Sequence, residues 1–198
     1  MHLARPESGP SRRRHGAALE AALLDAAWDE LTERGYAALT FAAVAQRAGT
    51  SRPVVNRHWP SKEALVRDAI SRASDRFSLV DPDTGSLRDD TVALLEQLNE
   101  AFTMFAAVMT AQLAAYYEET GTTPAELRAS VVDRRWSLIE SVTRRAAARG
   151  EVDGAKLTPR IARLPYDLLR HEVLMNLKPM SSSDIQEVVD TIFLPLIT

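Results

Sequence analysis

Apolar residues recur at intervals of three and four along most of this 198-residue chain. That spacing is typical of amphipathic helices, and runs with the period-two alternation of a half-buried strand are missing. Proline and glycine fall between the periodic runs and mark their ends. The pattern therefore predicts an all-α protein of about nine helices.

Capping residues and helix breakers divide the first 80 residues into four predicted helices. Thr40, Ser51 and Ser61 each precede a helix, and their side-chain oxygens are expected to accept a backbone N–H from its first turn. Gly35 and Pro60 are expected to end the helices before them. The four predicted helices cover residues 16–34, 41–48, 52–59 and 61–77.

Beyond the turn-rich stretch DPDTGS at residues 81–86, the predicted helices are longer. Thr123 and Glu126 form a capping box that starts one of them. Pro165 is expected to kink another or to delay its start. These helices are predicted over residues 87–119, in one piece or two, and over 124–149, 158–177 and 183–196.

The second and third helices have the pattern of a helix-turn-helix, two short helices joined by a tight turn at Gly49. On a helical wheel, Val55 and Trp59 share the inward face of the third helix. The outward face offers an arginine, an amide and small apolar groups, which suit the base edges of the DNA major groove: Arg57, Asn56, Pro53 and Val54. Cationic or ionisable side chains flank this face, where a phosphate backbone would pass: Arg52, His58 and Lys62. Two helices of an ordinary bundle remain an alternative.

Charge is unevenly distributed between the two parts of the chain. Residues 1–62 hold 9 of the 24 basic residues and 6 of the 27 acidic ones, a net charge of +3, so the remainder carries −6. Apart from histidine, every residue of the segment 35–62 that is charged at pH 7 is cationic. A basic first unit joined to an acidic second one suggests a polyanion partner for the first alone.

Residues 39–65, LTFAAVAQRAGTSRPVVNRHWPSKEAL, resemble the signature of the TetR family of bacterial transcriptional regulators. The matching positions are Thr40, Val44-Ala45, Ala48-Gly49, Ser51, His58-Trp59 and Ser61 to Leu65. The resemblance implies a three-helix DNA-binding domain and a larger helical domain that binds a small molecule and dimerises through its last two helices. Two positions depart from the family pattern, because Asn56 stands where a tyrosine is usual and Trp59 where a phenylalanine is usual.

Together these features predict a repressor released from a roughly palindromic operator by an apolar or amphipathic effector. The expected domains are a flexible basic arm at 1–15, the helix-turn-helix domain at 16–60, a connecting helix at 61–80, and a ligand-binding and dimerisation domain at 81–198. The predicted DNA-binding residues are Thr40, Arg47, Ser51, Arg52, Pro53, Val54, Asn56, Arg57, His58 and Lys62. The candidate ligand-binding residues are Phe102, Phe105, Met109, Tyr116, Trp136, Tyr166, His171 and Met175. The predicted interface of a homodimer comprises Leu168, Leu169, Val173, Leu177, Ile185, Val188, Val189, Ile192 and Phe193.

Other chemistry finds little support in the sequence. The absence of cysteine excludes disulfides and thiolate zinc sites, and no apolar stretch is expected to reach the ~20 residues of a membrane span. The four histidines are scattered, and His171 and Glu172 diverge around a helix, so neither a metal nor a cofactor is expected. An all-α enzyme and a constitutive DNA binder without effector response remain the alternatives. The expected location is the cytoplasm.

Overall fold

The computed structural model describes residues 11–77, 79–132 and 134–197, and these ranges are helical without a β-strand. The all-α prediction is confirmed. The chain divides between residues 73 and 74 into two compact units. Its helices are α1 (Ser11–Ala38), α2 (Phe41–Arg47), α3 (Arg52–His58), α4 (Lys62–Asp75), α5 (Leu87–Ala107), α6 (Ala114–Thr120), α7 (Pro124–Val132), α8 (Arg134–Arg149), α9 (Pro159–Asn176) and α10 (Ser182–Glu187). Wider π-helical turns cover Val108–Gln112 and Val188–Phe193, and a 3₁₀ turn covers Leu194–Leu196.

The first unit starts with a helix longer than the one predicted. Residues 11–15 already belong to α1, so the predicted flexible arm overlaps that helix, and residues 1–10 lie outside the described ranges. The cause is compositional, because the arginines in this stretch are good helix formers. Gly35 does interrupt the helix, at φ 76° and ψ 167°, a conformation that only glycine adopts readily.

Two of the three predicted N-caps are confirmed and one is wrong. The Thr40 hydroxyl accepts the Ala43 N–H at 3.1 Å, and the Ser61 hydroxyl accepts the Ala64 N–H at 3.3 Å. Ser51 has the extended backbone of an N-cap residue, but its hydroxyl makes no capping hydrogen bond. The predicted fourth helix, expected to reach about residue 77, ends at Asp75.

The second unit surrounds α5, which packs on α8, α9 and the C-terminal segment. The capping box is confirmed, since the Thr123 N–H donates to Glu126 at 2.8 Å and the Glu126 N–H donates to the Thr123 hydroxyl at 3.2 Å. Of the two outcomes predicted for Pro165, a kink or a delayed start, the delayed start is wrong, because α9 already starts at Pro159 and Pro165 is buried inside it. Core residues of this unit include Leu94, Leu95, Leu98, Val142, Tyr166, Leu169, Val173, Ile185, Val189 and Phe193.

One helical stretch, Leu87–Gln112, is long and apolar enough to cross a membrane by length and composition alone, with a mean hydropathy of 1.2 in its most apolar window. The expectation that no stretch would approach that length is therefore wrong. Half of the window is buried inside the protein, and a core helix meets the same criterion. The leucines of α5 belong to the core of the second unit, which accounts for the apolar composition of this helix.

Candidate nucleic-acid interface

A tight turn fixes the angle between α2 and α3. Gly49, at φ 66°, donates its N–H to the carbonyl of Gln46 at 3.2 Å, and Thr50 donates to the carbonyl of Ala45 at 2.9 Å. This pair of bonds is the Schellman arrangement, which satisfies the last carbonyls of a helix and favours glycine at the left-handed position. The two helices therefore form the helix-turn-helix that the sequence predicted.

The third helix has one buried face and one exposed face, as predicted. Val55 is fully buried and Trp59, the residue that follows the helix, is 4% exposed. The indole N–H of Trp59 donates to the carboxylate of Asp68 at 2.9 Å, which ties the end of α3 to α4. The outward residues are exposed, apart from the half-buried Val54: Arg52, Pro53, Asn56, Arg57 and His58.

Arg47 makes contacts within its own unit that the sequence did not suggest. Its guanidinium donates to Glu30 at 2.8 Å and to both oxygens of Glu33, at 2.9 and 2.5 Å. These bonds raise the pKa of Arg47, and they lower the pKa of Glu33. Arg34 lies 3.6 Å from the same Glu30 carboxylate, which is nearly buried. Arg47 therefore joins α2 to α1, and the sequence had assigned it to DNA.

Lys62 lies against the end of α1. Its ammonium is 3.8 Å from the centre of the Tyr36 ring and 3.3 Å from the Tyr36 carbonyl oxygen. The Tyr36 hydroxyl in turn donates to Glu63 at 3.3 Å. The pKa of Glu63 is lowered, mainly by a hydrogen bond from Ser61. Hydrogen bonds from the backbone N–H of Glu63 and from Tyr36 lower it further. Lys62 and Glu63 thus both bind Tyr36, and these contacts fix the first turn of α4 to α1.

Sequence reasoning missed several residues that position α3 and α4. Tyr36 is completely buried, and Asp25 of α1 binds the guanidinium of Arg72 of α4 at 2.6 and 3.0 Å. Of these residues, Tyr36 alone has a local signal in the sequence, because it is an aromatic residue directly after the helix-breaking Gly35. The Asp25–Arg72 contact spans 47 positions, a separation at which no local pattern pairs two residues.

The candidate ligand-binding residues fall into three groups. Phe105, Tyr116 and Tyr166 are buried, and Phe102 is half-buried beside the core. The Phe105 ring meets that of Phe77 edge to face at 6.0 Å. His171 and Met175 are exposed on α9, Met175 by 66%. The side chains of Met109 and Trp136 lie outside the described part of the chain.

Burial differs among the residues of the predicted dimer interface. Six of its nine residues are buried within their own chain and leave little surface for a partner: Leu169, Val173, Ile185, Val188, Val189 and Phe193. Leu168 is half-buried. The exposed members are Leu177 and Ile192, and the large apolar residues exposed near them in sequence are Met175 and Leu196.

The described residues contain no group of three or more histidines and carboxylates placed to hold a metal ion. The all-α fold, together with an α3 that has one buried face and one exposed face, defines a helix-turn-helix DNA-binding protein.

Comparison with known proteins identifies the family. A model described as bacterial regulatory proteins, tetR family, matches residues 23–69, and one described as tetracyclin repressor-like, C-terminal domain, matches residues 81–192. The chain is 34% identical over 172 residues to the HTH-type transcriptional regulator Rv1556 of Mycobacterium tuberculosis, covering 85% of this chain and 82% of that protein. It is 26% identical to the DNA-binding transcriptional repressor TetR of Mycobacteroides abscessus, covering 92% and 95%. The crystal structure of the TetR family transcription regulator SCO0332 matches with a TM-score of 0.65 and 25% identity, covering 91% of this chain and 98% of the other.

The chain therefore belongs to the TetR family of helix-turn-helix transcriptional regulators. Regulators of this family bind DNA operators and small-molecule effectors and act as dimers.

Proposed function

We propose that this protein is a repressor that inserts α3 into the major groove of a roughly palindromic operator, and that a small-molecule effector lowers its operator affinity. The observation that carries the proposal is the division of α3 into two faces. Val55 and Trp59 hold one side of the helix in the protein, and the opposite side presents hydrogen-bonding groups to solvent. An α-helix supported in this way fits the width of the major groove.

The arginines of α3 supply the contacts to DNA in this proposal. Arg57 lies about 200° around the helix from Val55, the centre of the exposed face, where a guanidinium can bind a guanine edge with two hydrogen bonds. Arg52, His58 and Lys62 lie at the flanks, where phosphates pass. Thr40 and Ser51 are exposed at the starts of α2 and α3 and complete the proposed contact surface. Arg47 is left out, since its guanidinium binds two glutamates.

Two copies of the chain are needed for a palindromic operator, because the described part of each chain carries one such helix-turn-helix. We assign the interface between them to exposed apolar residues near the ends of α9 and of the C-terminal segment: Met175, Leu177, Ile192 and Leu196. Ile192 and Leu196 are four positions apart in the C-terminal segment, and both are exposed. Burying them against a second copy would remove apolar surface from water.

The effector in this proposal is apolar or amphipathic. Phe105 and Tyr116 are buried in the second unit, and Phe102 is half-buried beside its core. Burial is the main cause that raises the pKa of Tyr117 to about 12, and the neighbouring Tyr116 adds to the effect. A ligand that shares this interior must therefore itself be largely apolar. As a regulator of transcription, the protein is proposed to act in the cytoplasm.

The test is selection of binding sites from randomised double-stranded DNA, followed by affinity measurements on the selected operator. Arg57→Ala should cost about 1 to 3 kcal/mol and relax the preference at one symmetric base pair. Arg160→Ala, which removes an exposed arginine of the second unit, is the matched control and should preserve both affinity and preference. Failure of the wild-type protein to enrich any sequence would refute the proposed function.

The effector part of the proposal needs a separate measurement. Operator affinity is titrated against a panel of apolar, amphipathic and polar small molecules, and the apolar and amphipathic ones should include a ligand that weakens binding by about 5- to 150-fold. Operator affinity that no compound in the panel changes would favour the constitutive binder.

A further inference from the structure

Asn56 is the amide on the exposed face of α3, and it occupies the position where the family usually has a tyrosine. Its side chain makes no hydrogen bond to any other residue in the described ranges. Two amides of the second unit, by contrast, bind within the chain: Gln97 binds the backbone of Val80, and Asn99 binds the backbone of Met180 at 2.7 and 2.9 Å. The structure therefore assigns Asn56 no role within its own chain.

The position of Asn56 is suited to contact with base edges. It lies four residues after Arg52, so the two side chains point to neighbouring sides of the helix and stand about 6 Å apart along its axis. That separation is close to two base-pair steps of about 3.4 Å. Val55 lies about 100° around the helix from Asn56 and is fully buried, so a rotation of α3 that hides Asn56 from the groove would expose the core.

The chemistry of an amide selects one base. An asparagine side chain offers one N–H donor group and one carbonyl acceptor side by side. In the major groove adenine presents an acceptor at N7 next to a donor at N6, whereas guanine presents two acceptors, cytosine a donor, and thymine an acceptor and a methyl group. Adenine is therefore the base with which both amide groups can pair at once.

We propose that Asn56 reads an adenine in each operator half-site, its amide N–H donating to N7 and its carbonyl accepting from N6. This inference rests on the proposed function, because it requires α3 to enter the major groove. The adenine lies within two base steps of the level at which Arg52 meets the phosphate backbone, and by symmetry it occurs twice in the operator. The tyrosine usual in the family lacks this donor-acceptor pair, so the preference is specific to chains with an amide here.

The first experiment compares base preference in matched variants. Wild type, Asn56→Ala, Asn56→Gln and the control Gln46→Ala, which removes an exposed amide of α2, are each subjected to the same binding-site selection. Wild type should prefer adenine at one symmetric position by about 5- to 140-fold, the range that a bidentate pair provides. Asn56→Ala should lose the preference at that position alone, Asn56→Gln should keep part of it, and Gln46→Ala should keep all of it.

The second experiment tests the two hydrogen bonds directly. Replacing the selected adenine by 7-deazaadenine removes the N7 acceptor and leaves Watson–Crick pairing intact, so it should weaken wild type by about 3-fold or more and leave Asn56→Ala unchanged. Each result is a ratio of affinities of one protein for two DNAs, so a variant that is partly unfolded still gives a valid ratio.

The outcomes separate the inference from the function on which it rests. An operator without a preferred adenine, a preference that Asn56→Ala retains, or equal sensitivity of both proteins to 7-deazaadenine would overturn the role of Asn56 while leaving the repressor intact. If wild type enriches no operator at all, the proposed function itself fails.

Discussion

Truncation of Ile192 distinguishes contacts between copies from contacts within the chain. Ile192 retains 39% of its surface, whereas Val189, three residues earlier on the same segment, is fully buried. If a second copy covers the exposed part of Ile192, Ile192→Ala should weaken the dimer. Val189→Ala should instead lower the free energy of unfolding, because that side chain packs in the core of its own unit.

The expected magnitude follows from the exposed fraction. Complete burial of an isoleucine side chain contributes about 1.5 to 3 kcal/mol, so a partner that covers the remaining four-tenths contributes roughly 0.6 to 1.2 kcal/mol. A two-fold dimer contains this contact twice, which makes the loss roughly 1.2 to 2.4 kcal/mol. The dimer dissociation constant should therefore rise by about 7- to 50-fold.

Sedimentation velocity over a dilution series measures that constant. The matched control is Val80→Ala, which truncates an aliphatic residue that is 65% exposed but lies outside α9 and the C-terminal segment. It should leave the dissociation constant unchanged. An unchanged constant in Ile192→Ala, or an equal change in both variants, would refute the assignment of Ile192 to the interface. A wild-type monomer at micromolar concentration would refute the dimer.

Three further changes test the first unit and the interior of the second. Trp59→Phe removes the indole bond to Asp68 and should lower the free energy of unfolding by about 1 kcal/mol in urea titrations; no loss would mean that this bond is not stabilising. Arg47→Ala should lower stability and leave the salt dependence of operator binding unchanged, whereas Lys62→Ala should weaken all DNA sequences alike and reduce the salt slope by about one. The reverse pattern would exchange the roles of these two cations. Phe105→Leu should reduce the response to effector and keep operator affinity. Leucine is chosen because Phe→Ala in a core costs about 3 to 5 kcal/mol of stability. Loss of both the effector response and operator affinity would make Phe105 a purely structural residue.

Local features of this protein were predictable from its sequence. The faces of α3, the caps at Thr40 and Ser61 and the box at Thr123 each depend on residues within a few positions of one another, where periodicity and capping chemistry decide the outcome. Ser51 shows the limit of the same reasoning. It has the right residue type and backbone for a cap, yet its hydroxyl makes no capping bond.

The errors concern partners that are distant in sequence. An apolar stripe shows that a residue avoids water but not which surface covers it, so Val189 and Ile192 looked equivalent although one is fully buried and the other is not. Pro165 looked like a helix breaker because its missing N–H counts against a helix interior, but burial against the core keeps it within α9.

The charge of the DNA-binding unit illustrates how such contacts alter a sequence-based argument. The net charge of residues 1–62 counts the acids of α1 against the cations near α3. In the folded unit Glu30 and Glu33 bind Arg47, and Asp25 binds Arg72, while Arg52 and Arg57 make no ion pair within the described ranges. Three of the acids of α1 are therefore paired with arginines, two of them with α2 and one with α4, and the positive charge of α3 remains at the surface. Opposite charges in the same segment thus serve separate purposes, since one set holds the helices together and the other is available to the polyanion.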